Sequence, residues 1–409
     1  MTNTNWTFSQ KTSFRFASIF IITFIILFNN GAYPLFNYVI QPIEQEIYKC
    51  LTWFAKNIIS YSGAIETQNT GSGDSTYAWF TLISILIVAI IGSIIWSILD
   101  RNRKNYDVFY YWLITFIRYY IAFMLINYGT IKLTHSQMLP PGLNRLMQPL
   151  GEFSPMGLAW TYFGYSYGYN IFVGIAEILA GLLLFRKTIV LGALVTAAVS
   201  INIMSTNYFF DVPVKITSTA LLLLSIFILL PYIQSLYDFF IREKPAQIIS
   251  YKRPKYDKKW KNKLILIVKI SVLVIFGIQQ INGLLNRHKF IEHYLKKSPL
   301  YGIYHIEKEG TAPLPNGWQS IIFEYEGNAS VRDTYYKSIT IAPTIDTVEK
   351  KLSLNNHTYN YEKLKNGDIR LTKTIDNRIE EIKFIRKKEQ DFELMKRKFN
   401  WVQDYPYNR

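Results

Sequence analysis

The chain has 409 residues, of which half are hydrophobic, 16% are aromatic and only 18% are charged, and its formal net charge is +16. This composition excludes a disordered or fibrous chain, and the single cysteine, Cys50, excludes an intrachain disulfide, an iron–sulfur cluster and a thiolate zinc site. Since a large positive charge also suits nucleic-acid binding, the position of the charge along the chain has to decide between nucleic acid and membrane.

Seven hydrophobic runs have the length and composition of membrane-spanning helices. They cover residues 14–29, 79–99, 109–129, 167–185, 188–206, 216–234 and 264–281. Lys11 and Arg15 accompany the start of the first run, and no small-residue cleavage site follows Phe28, which favours an uncleaved anchor over a cleaved signal peptide. The sequence therefore predicts seven transmembrane helices.

The basic residues cluster in alternate connections between these runs. After Lys11 and Arg15 they are Arg101, Arg103 and Lys104, then Arg186 and Lys187, then the basic segment 236–263. With seven spans all of them fall on one side, so the positive-inside rule predicts a plasma (inner) membrane protein with a cytoplasmic N terminus and an extracytoplasmic C-terminal domain. Much of the charge is then a topology signal and a contact with anionic lipid head groups of the bilayer, and nucleic acid is not a predicted partner.

The tail from Leu300 onward alternates short strand-like runs with turn pairs, which is typical of consecutive β-hairpins. The turn pairs are Asn316-Gly317, Gly327-Asn328, Asn355-Asn356, Asn366-Gly367 and Asp376-Asn377. The spacing predicts about six strands in a small antiparallel sandwich or half-barrel, with a closing helix through Phe392–Phe399.

Two charged residues lie inside predicted spans, where an unpaired charge costs several kcal/mol. Arg118 is near the middle of the third span and Glu177 near the middle of the fourth, so a rise of about 1.5 Å per residue places both close to the midplane. We predict that the two side chains face each other, and they are the best catalytic candidates. Gly174 and Gly181 flank Glu177 and provide a small-residue face for another helix. The pair is either a staple that fixes helix packing or a proton- or redox-coupled site.

A second group of polar residues lies towards the predicted outer face. By helical spacing Gly129 and Lys132 fall on the Arg118 side of the third span, and loops and the fifth span supply the other candidates. The predicted binding residues are Asp74, Lys132, Arg145, Glu152, Asn202, Asp211 and Lys215. They predict a polar cavity open to the outside, and the alternative is ordinary loop charge at the level of the lipid head groups.

Several stretches resemble the DoxX family of integral membrane proteins. FIRYYIAFMLINYGTIKL and GIAEILAGLLLFRKTIVLGAL are similar to the family's first two helices, and Arg118, Gly129, Lys132 and Glu177 match its pattern. TGSGDST, SILDRNRKNY, PPGLNRLMQPLGEFSPMGLAWTYFGYS, FFDVPVK and KFNWVQDYPYNR resemble blocks of its long members, which carry an extra C-terminal extracytoplasmic domain. The resemblance implies an antiparallel four-helix bundle over 109–235.

Together these patterns predict an all-α polytopic membrane protein, containing a DoxX-like four-helix bundle, with a small C-terminal antiparallel β domain. The predicted divisions are two transmembrane helices with an outer loop (1–108), the DoxX-like core (109–235), the basic cytoplasmic loop (236–263), the seventh transmembrane helix (264–281), and an extracytoplasmic linker with the β-rich domain (282–409).

The family is named for a subunit of an archaeal thiosulfate:quinone oxidoreductase, and some bacterial relatives are linked to thiol and oxidative-stress systems. The resemblance therefore implies a membrane redox role, in which electrons would pass by a quinone or through a partner subunit. The sequence itself predicts no haem, because no histidine lies inside any of the seven predicted spans, and it has no C-x-x-C, dinucleotide-binding or P-loop motif. The histidines are His135, His288, His293, His305 and His357.

Three hypotheses about function stay open. The chain could be a membrane subunit that binds a quinone or lipid in the helical core, with Arg118 and Glu177 managing a proton. It could instead be a non-enzymatic scaffold whose outer β domain recruits a protein partner. The third hypothesis is a transporter or a lipid-handling membrane enzyme, against which the sequence shows no inverted repeat and no matched pair of broken helices.

Overall fold

The computed structural model describes residues 5–66, 71–245, 254, 256–307, 314, 317–335, 337–355, 357–375, 378–397 and 399–408. Residues 246–253 and 255 of the basic loop, and the predicted turn residues Asn316, Asn356, Asp376 and Asn377, lie outside the described residues. The chain forms two compact units. The first comprises Met1–Gln137 and Tyr167–Leu284, and the second comprises Met138–Ser166 and Leu285–Arg409.

The described part of the chain contains long apolar helices and a few short ones. In chain order they are α1 (Phe8–Leu27), α2 (Phe36–Asn57), α3 (Thr76–Leu99), α4 (Asp107–Leu133), α5 (Leu143–Leu146), α6 (Pro155–Tyr165), α7 (Tyr167–Ile178), α8 (Ile189–Phe209), α9 (Lys215–Leu229), α10 (Ile233–Phe240), α11 (Lys259–Tyr294) and α12 (Glu393–Lys396). A 3₁₀ segment, Leu179–Leu184, continues α7, and Leu230–Tyr232 joins α9 to α10.

Seven of the described helices are long and apolar enough to cross a membrane, which confirms the predicted number of spans. They are α1, α3, α4, Tyr167–Leu184, Arg186–Phe209, Lys215–Phe240 and α11. By this length and composition the chain is a multi-pass membrane protein. The N-terminal end of α3 is set by Ser75, whose hydroxyl accepts a hydrogen bond from the Ala78 amide, as an N-cap residue does.

The helix α4 is the centre of the first unit. Of the residues in its most apolar stretch 67% are buried, compared with 17% in that of α3 and 6% in that of α11. Residues with small side chains allow its neighbours to pack closely. On α8 the buried Gly192, Ala193, Thr196 and Ser200 recur at helical spacing, and the Ser225 hydroxyl of α9 donates to the Thr196 hydroxyl at 3.1 Å. Such small-residue faces are how helices associate where no water drives them together.

The second unit is built on one antiparallel sheet of nine strands, which forms a half-barrel. The strands are β1 (Lys297–Ile306), β2 (Ser320–Tyr325), β3 (Ala329–Arg332), β4 (Ser338–Ile341), β5 (Thr344–Asp346), β6 (Lys351–Leu354), β7 (His357–Lys363), β8 (Ile369–Ile375) and β9 (Arg378–Lys387). Their order is β4-β3-β2-β1-β9-β8-β7-β6-β5. The half-barrel prediction is confirmed, the sandwich alternative is wrong, and six strands was too few because several are only three or four residues long.

Two glycines explain why the turn pairs were visible in the sequence. Gly327 (φ +72°) lies in the β2–β3 turn and Gly367 (φ +92°) in the β7–β8 turn, in the left-handed region that glycine enters without strain. Alternate side chains of the strands then form one apolar core with Tyr304, Phe323 and Phe384 among its members. The predicted closing helix is α12, shorter than expected.

Candidate functional site

The buried carboxylate of Glu177 is paired with Lys132. The Lys132 Nζ lies 2.9 Å from the carboxylate, and the two side chains are only 9% and 1% exposed. The close approach of α4 and α7 depends on two glycines: a Cβ added to Gly129 would lie 2.7 Å from the Gly174 carbonyl oxygen, and one added to Gly174 would lie 2.8 Å from that of Gly129. Bare backbone on both helices therefore brings the ion pair together.

The predicted contact between Arg118 and Glu177 is wrong. The Arg118 guanidinium donates from Nε to the Leu183 carbonyl oxygen at 2.8 Å and again from its terminal nitrogen. Leu183 lies in the 3₁₀ segment that ends the fourth span, where carbonyl groups lose their helical partners. Arg118 and Lys132 are 14 residues apart on α4, roughly 21 Å at the helical rise, so Glu177 lies at the Lys132 level and Arg118 meets the end of the span instead.

A buried histidine, His135, follows Lys132 closely in the chain, and its backbone N–H donates to the Lys132 carbonyl oxygen at 2.9 Å. The His135 ring stacks on the Tyr167 ring with a centroid distance of 5.1 Å, and its Nδ1 lies 3.4 Å from the Asn170 Nδ2. His135 and Asn170 are 7% and 1% exposed. The sequence did not predict this cluster. His135 follows the end of α4, whereas its partners Tyr167 and Asn170 lie at the start of α7, so the contact joins two separate helices.

A cavity of about 490 Å³ lies beside α4 and α11 within the first unit. Its basic lining residues are Arg118, Arg186 and Lys269. Its aromatic lining residues are Tyr33, Tyr111, Trp112, Phe116 and Tyr119, and α11 adds an aliphatic wall. None of the described residues that line this cavity is acidic. The cavity thus combines three positive charges with apolar walls, a combination suited to an amphiphilic molecule.

Three of the predicted binding residues meet at the start of α9. The Asp74 carboxylate accepts hydrogen bonds from the backbone N–H groups of Lys215 (2.7 Å) and Ile216 (3.0 Å), which α9 itself leaves without partners. The Lys215 Nζ lies 2.9 Å from the Asp211 carboxylate. Asn202 is exposed on α8. Through its bonds to the Lys215 and Ile216 amides, Asp74 caps the N-terminal end of α9. The sequence did not predict this role, because Asp74 lies in a loop far from α9 along the chain.

The other two predicted binding residues, Arg145 and Glu152, belong to the second unit. Arg145 donates to the Gln148 side chain at 2.8 Å and lies over the Phe153 ring, and Glu152 ends a short 3₁₀ turn. In the same unit the Glu324 carboxylate accepts hydrogen bonds from the Leu143 and Asn144 amides. The outer polar cavity built from all the predicted residues stays a prediction.

The described residues contain no group of three or more His, Cys, Asp or Glu side chains that could hold a metal ion. Comparison with known proteins adds one relative: the chain is 34% identical over 122 residues to the uncharacterized protein YwoB of Bacillus subtilis (strain 168), an overlap of 27% of this chain and 71% of the relative. No protein-family model matches the chain. No solved structure matches it either.

Proposed function

This chain belongs to the family of the Bacillus subtilis protein YwoB, and we propose that it is a DoxX-like integral membrane protein that binds a lipid-soluble ligand, a lipid or a quinone, beside α4 and α11. The observation that supports this proposal is the cavity of about 490 Å³. Its volume falls within the range of roughly 300–1,000 Å³ that small-molecule sites occupy. Its apolar walls suit a hydrocarbon tail, and its basic side chains suit a polar end.

The proposed orientation places the N terminus in the cytoplasm and the C-terminal unit outside the plasma membrane. The supporting observation is that the start of α1 and the end of α3 meet. Arg15 is 1% exposed and donates to the Ser97 hydroxyl at 2.9 Å and to the Asp100 carbonyl oxygen at 2.8 Å. The Lys11 ammonium donates to the Arg103 carbonyl oxygen at 3.2 Å. The first two basic clusters therefore lie at one end of the helices, as the positive-inside rule requires.

Ligand binding is tested by native mass spectrometry of the full-length protein released from membranes in mild detergent. Val272 of α11 lines the cavity, so Val272→Trp should fill it and remove a copurifying lipid or quinone. Val274 is 54% exposed on the same helix and is not among the lining residues, so Val274→Trp is the matched control and should retain the ligand. Equal retention by both variants, or a wild-type protein without any bound amphiphile, contradicts the proposal.

A further inference from the structure

Residues 399–405 of the second unit form a loop, the aromatic loop, whose large apolar side chains are exposed. These side chains are between 78% and 91% exposed, and they belong to Phe399, Trp401, Val402 and Tyr405. The rings of Phe399 and Trp401 contact each other edge to face, with their centroids 5.0 Å apart. Single exposed apolar residues are ordinary, but a contiguous apolar patch marks an interaction site.

Arg397 closes the base of the aromatic loop. Its guanidinium donates to the Gln403 side chain at 2.9 Å and lies over the Tyr407 ring, 3.9 Å from the ring centroid. Its carbonyl oxygen accepts a hydrogen bond from the Tyr165 hydroxyl at 3.2 Å. Because Tyr165 is the last residue of α6, the base of the aromatic loop lies beside the end of that helix.

The exposed face of α6 has the same apolar and aromatic character as the loop. Leu158, Tyr162 and Tyr165 are 42%, 61% and 44% exposed. They are spaced by four and three residues, so they lie on one face of the helix. The hydrogen bond from Tyr165 to Arg397 brings this face next to the aromatic loop within the second unit.

The end of α6 lies at the boundary of the bilayer, because the chain passes from α6 into the fourth span across a single residue, Ser166. That span, Tyr167–Leu184, comprises twelve α-helical and six 3₁₀ residues, which together rise by about 30 Å. The hydrocarbon core of a bilayer is also about 30 Å thick, so the span has no residue to spare and Tyr167 lies at the edge of the hydrocarbon. Trp and Tyr side chains are enriched at this level.

The charge of the segment that contains the aromatic loop suits the same location. From Lys396 to Arg409 the sequence has four basic residues and one acidic residue, Asp404. Anionic lipid head groups attract such a basic segment. Apolar rings beside basic side chains are also the combination with which peripheral segments bind in the interfacial region of a membrane.

We propose that the aromatic loop and the exposed face of α6 dock on the lipid bilayer, with Trp401 and Val402 inserted among the lipid head groups. This contact anchors the second unit at the surface of the membrane that the first unit spans, in addition to the covalent connections. It depends neither on the ligand of the cavity nor on the side of the membrane at which the second unit lies.

Site-directed spin labelling of the full-length protein in nanodiscs tests this contact. Cys50, the natural and exposed cysteine, is first replaced by serine, and a nitroxide is then attached through Val402→Cys. The matched control is Val348→Cys, which replaces a residue of the same unit that is 85% exposed and lies outside the aromatic loop. Compared with the control, the label at position 402 should collide more often with oxygen, which dissolves in lipid, and less often with a water-soluble nickel chelate.

Removing both rings, with Phe399→Ser and Trp401→Ser, should restore access of the nickel chelate at position 402 to the level of the Val348→Cys control. Equal access of the nickel chelate at positions 402 and 348 before these changes overturns the proposal. Protection of position 402 from both oxygen and nickel shows burial against protein, such as a second copy of this chain, and overturns it as well. Protection from nickel that survives the loss of both rings refutes docking through the aromatic side chains.

Discussion

Replacing Glu177 by leucine should destabilise the helical unit more than replacing Glu177 and Lys132 together by apolar residues. The single change leaves the Lys132 ammonium without its carboxylate at a position only 9% exposed. Lys132→Met alone leaves the Glu177 carboxylate without its ammonium partner in the same way, and the Glu177 side chain is only 1% exposed. The two single variants should therefore be similarly poor.

The size of the effect follows from burial and distance. Removing one partner of a buried ion pair costs about 3–5 kcal/mol, whereas replacing both by apolar groups of similar volume is often close to neutral. With a contact of 2.9 Å and almost no solvent, we expect each single variant to lose stability of that order. The double variant should recover most of it.

Thermal unfolding of the full-length protein in one detergent measures all three variants. A double-mutant cycle between Arg118→Leu and Glu177→Leu is the matched control, because these side chains have different partners and their losses should add. Additive losses for Lys132 and Glu177, together with coupling between Arg118 and Glu177, would refute the pairing described above and restore the pairing predicted from the sequence.

Three smaller changes test other parts of the account. Gly129→Ala should cost about 1–3 kcal/mol, because its Cβ would meet the Gly174 carbonyl at 2.7 Å, whereas Gly277→Ala, with no atom within 4 Å, should be harmless in the same thermal assay. Asp74→Ala should cost about 1 kcal/mol by uncapping α9, and Asp74→Asn should restore most of it. Burial, aided by the charge of Lys387, lowers the pKa of His305 in the folded protein. As the pH falls, the unfolded chain therefore protonates this imidazole before the folded second unit does, and the free energy of unfolding of that unit should decrease below about pH 6.5. Hydrogen exchange should show this pH-dependent loss of stability in wild type. The same loss in His305→Gln would contradict the attribution to His305.

The parts of the fold that depend on local patterns could be predicted from the sequence. A hydrophobic run long enough to cross a bilayer has few other uses, so all seven spans were found. Turns such as Gly327 and Gly367 need a positive φ, which limits the residue types that can fill them. The number of strands was underestimated because short strands such as β5 carry too few alternating residues to form a pattern.

The partners of buried charges depend on helix depth and on how spans end, which the sequence does not encode locally. The sequence argument counted residues from the start of each span and assumed straight helices, which placed Arg118 opposite Glu177. The 3₁₀ segment Leu179–Leu184 offers a carbonyl to Arg118 instead. The cavity was missed for a related reason: Arg186 was interpreted only as a topology signal, and Lys269 was not singled out within its span.

Long-range contacts also explain what the sequence could not show about 138–166. This segment lies between two spans, yet its backbone amides at Leu143 and Asn144 bond to the Glu324 carboxylate, about 180 positions along the chain. The Arg332 guanidinium donates to the Asn144 carbonyl oxygen at 3.0 Å. No periodicity links residues so far apart, so their membership of one unit becomes visible only in three dimensions.

The central claim is that the cavity beside α4 and α11 holds a membrane amphiphile. A cryo-electron microscopy map of the full-length protein in nanodiscs made from native lipids tests it most directly. We expect elongated density along Leu264, Leu266 and Val268, with its polar end towards the basic side chains of the lining. A well-resolved cavity that contains only protein side chains or water would contradict the claim.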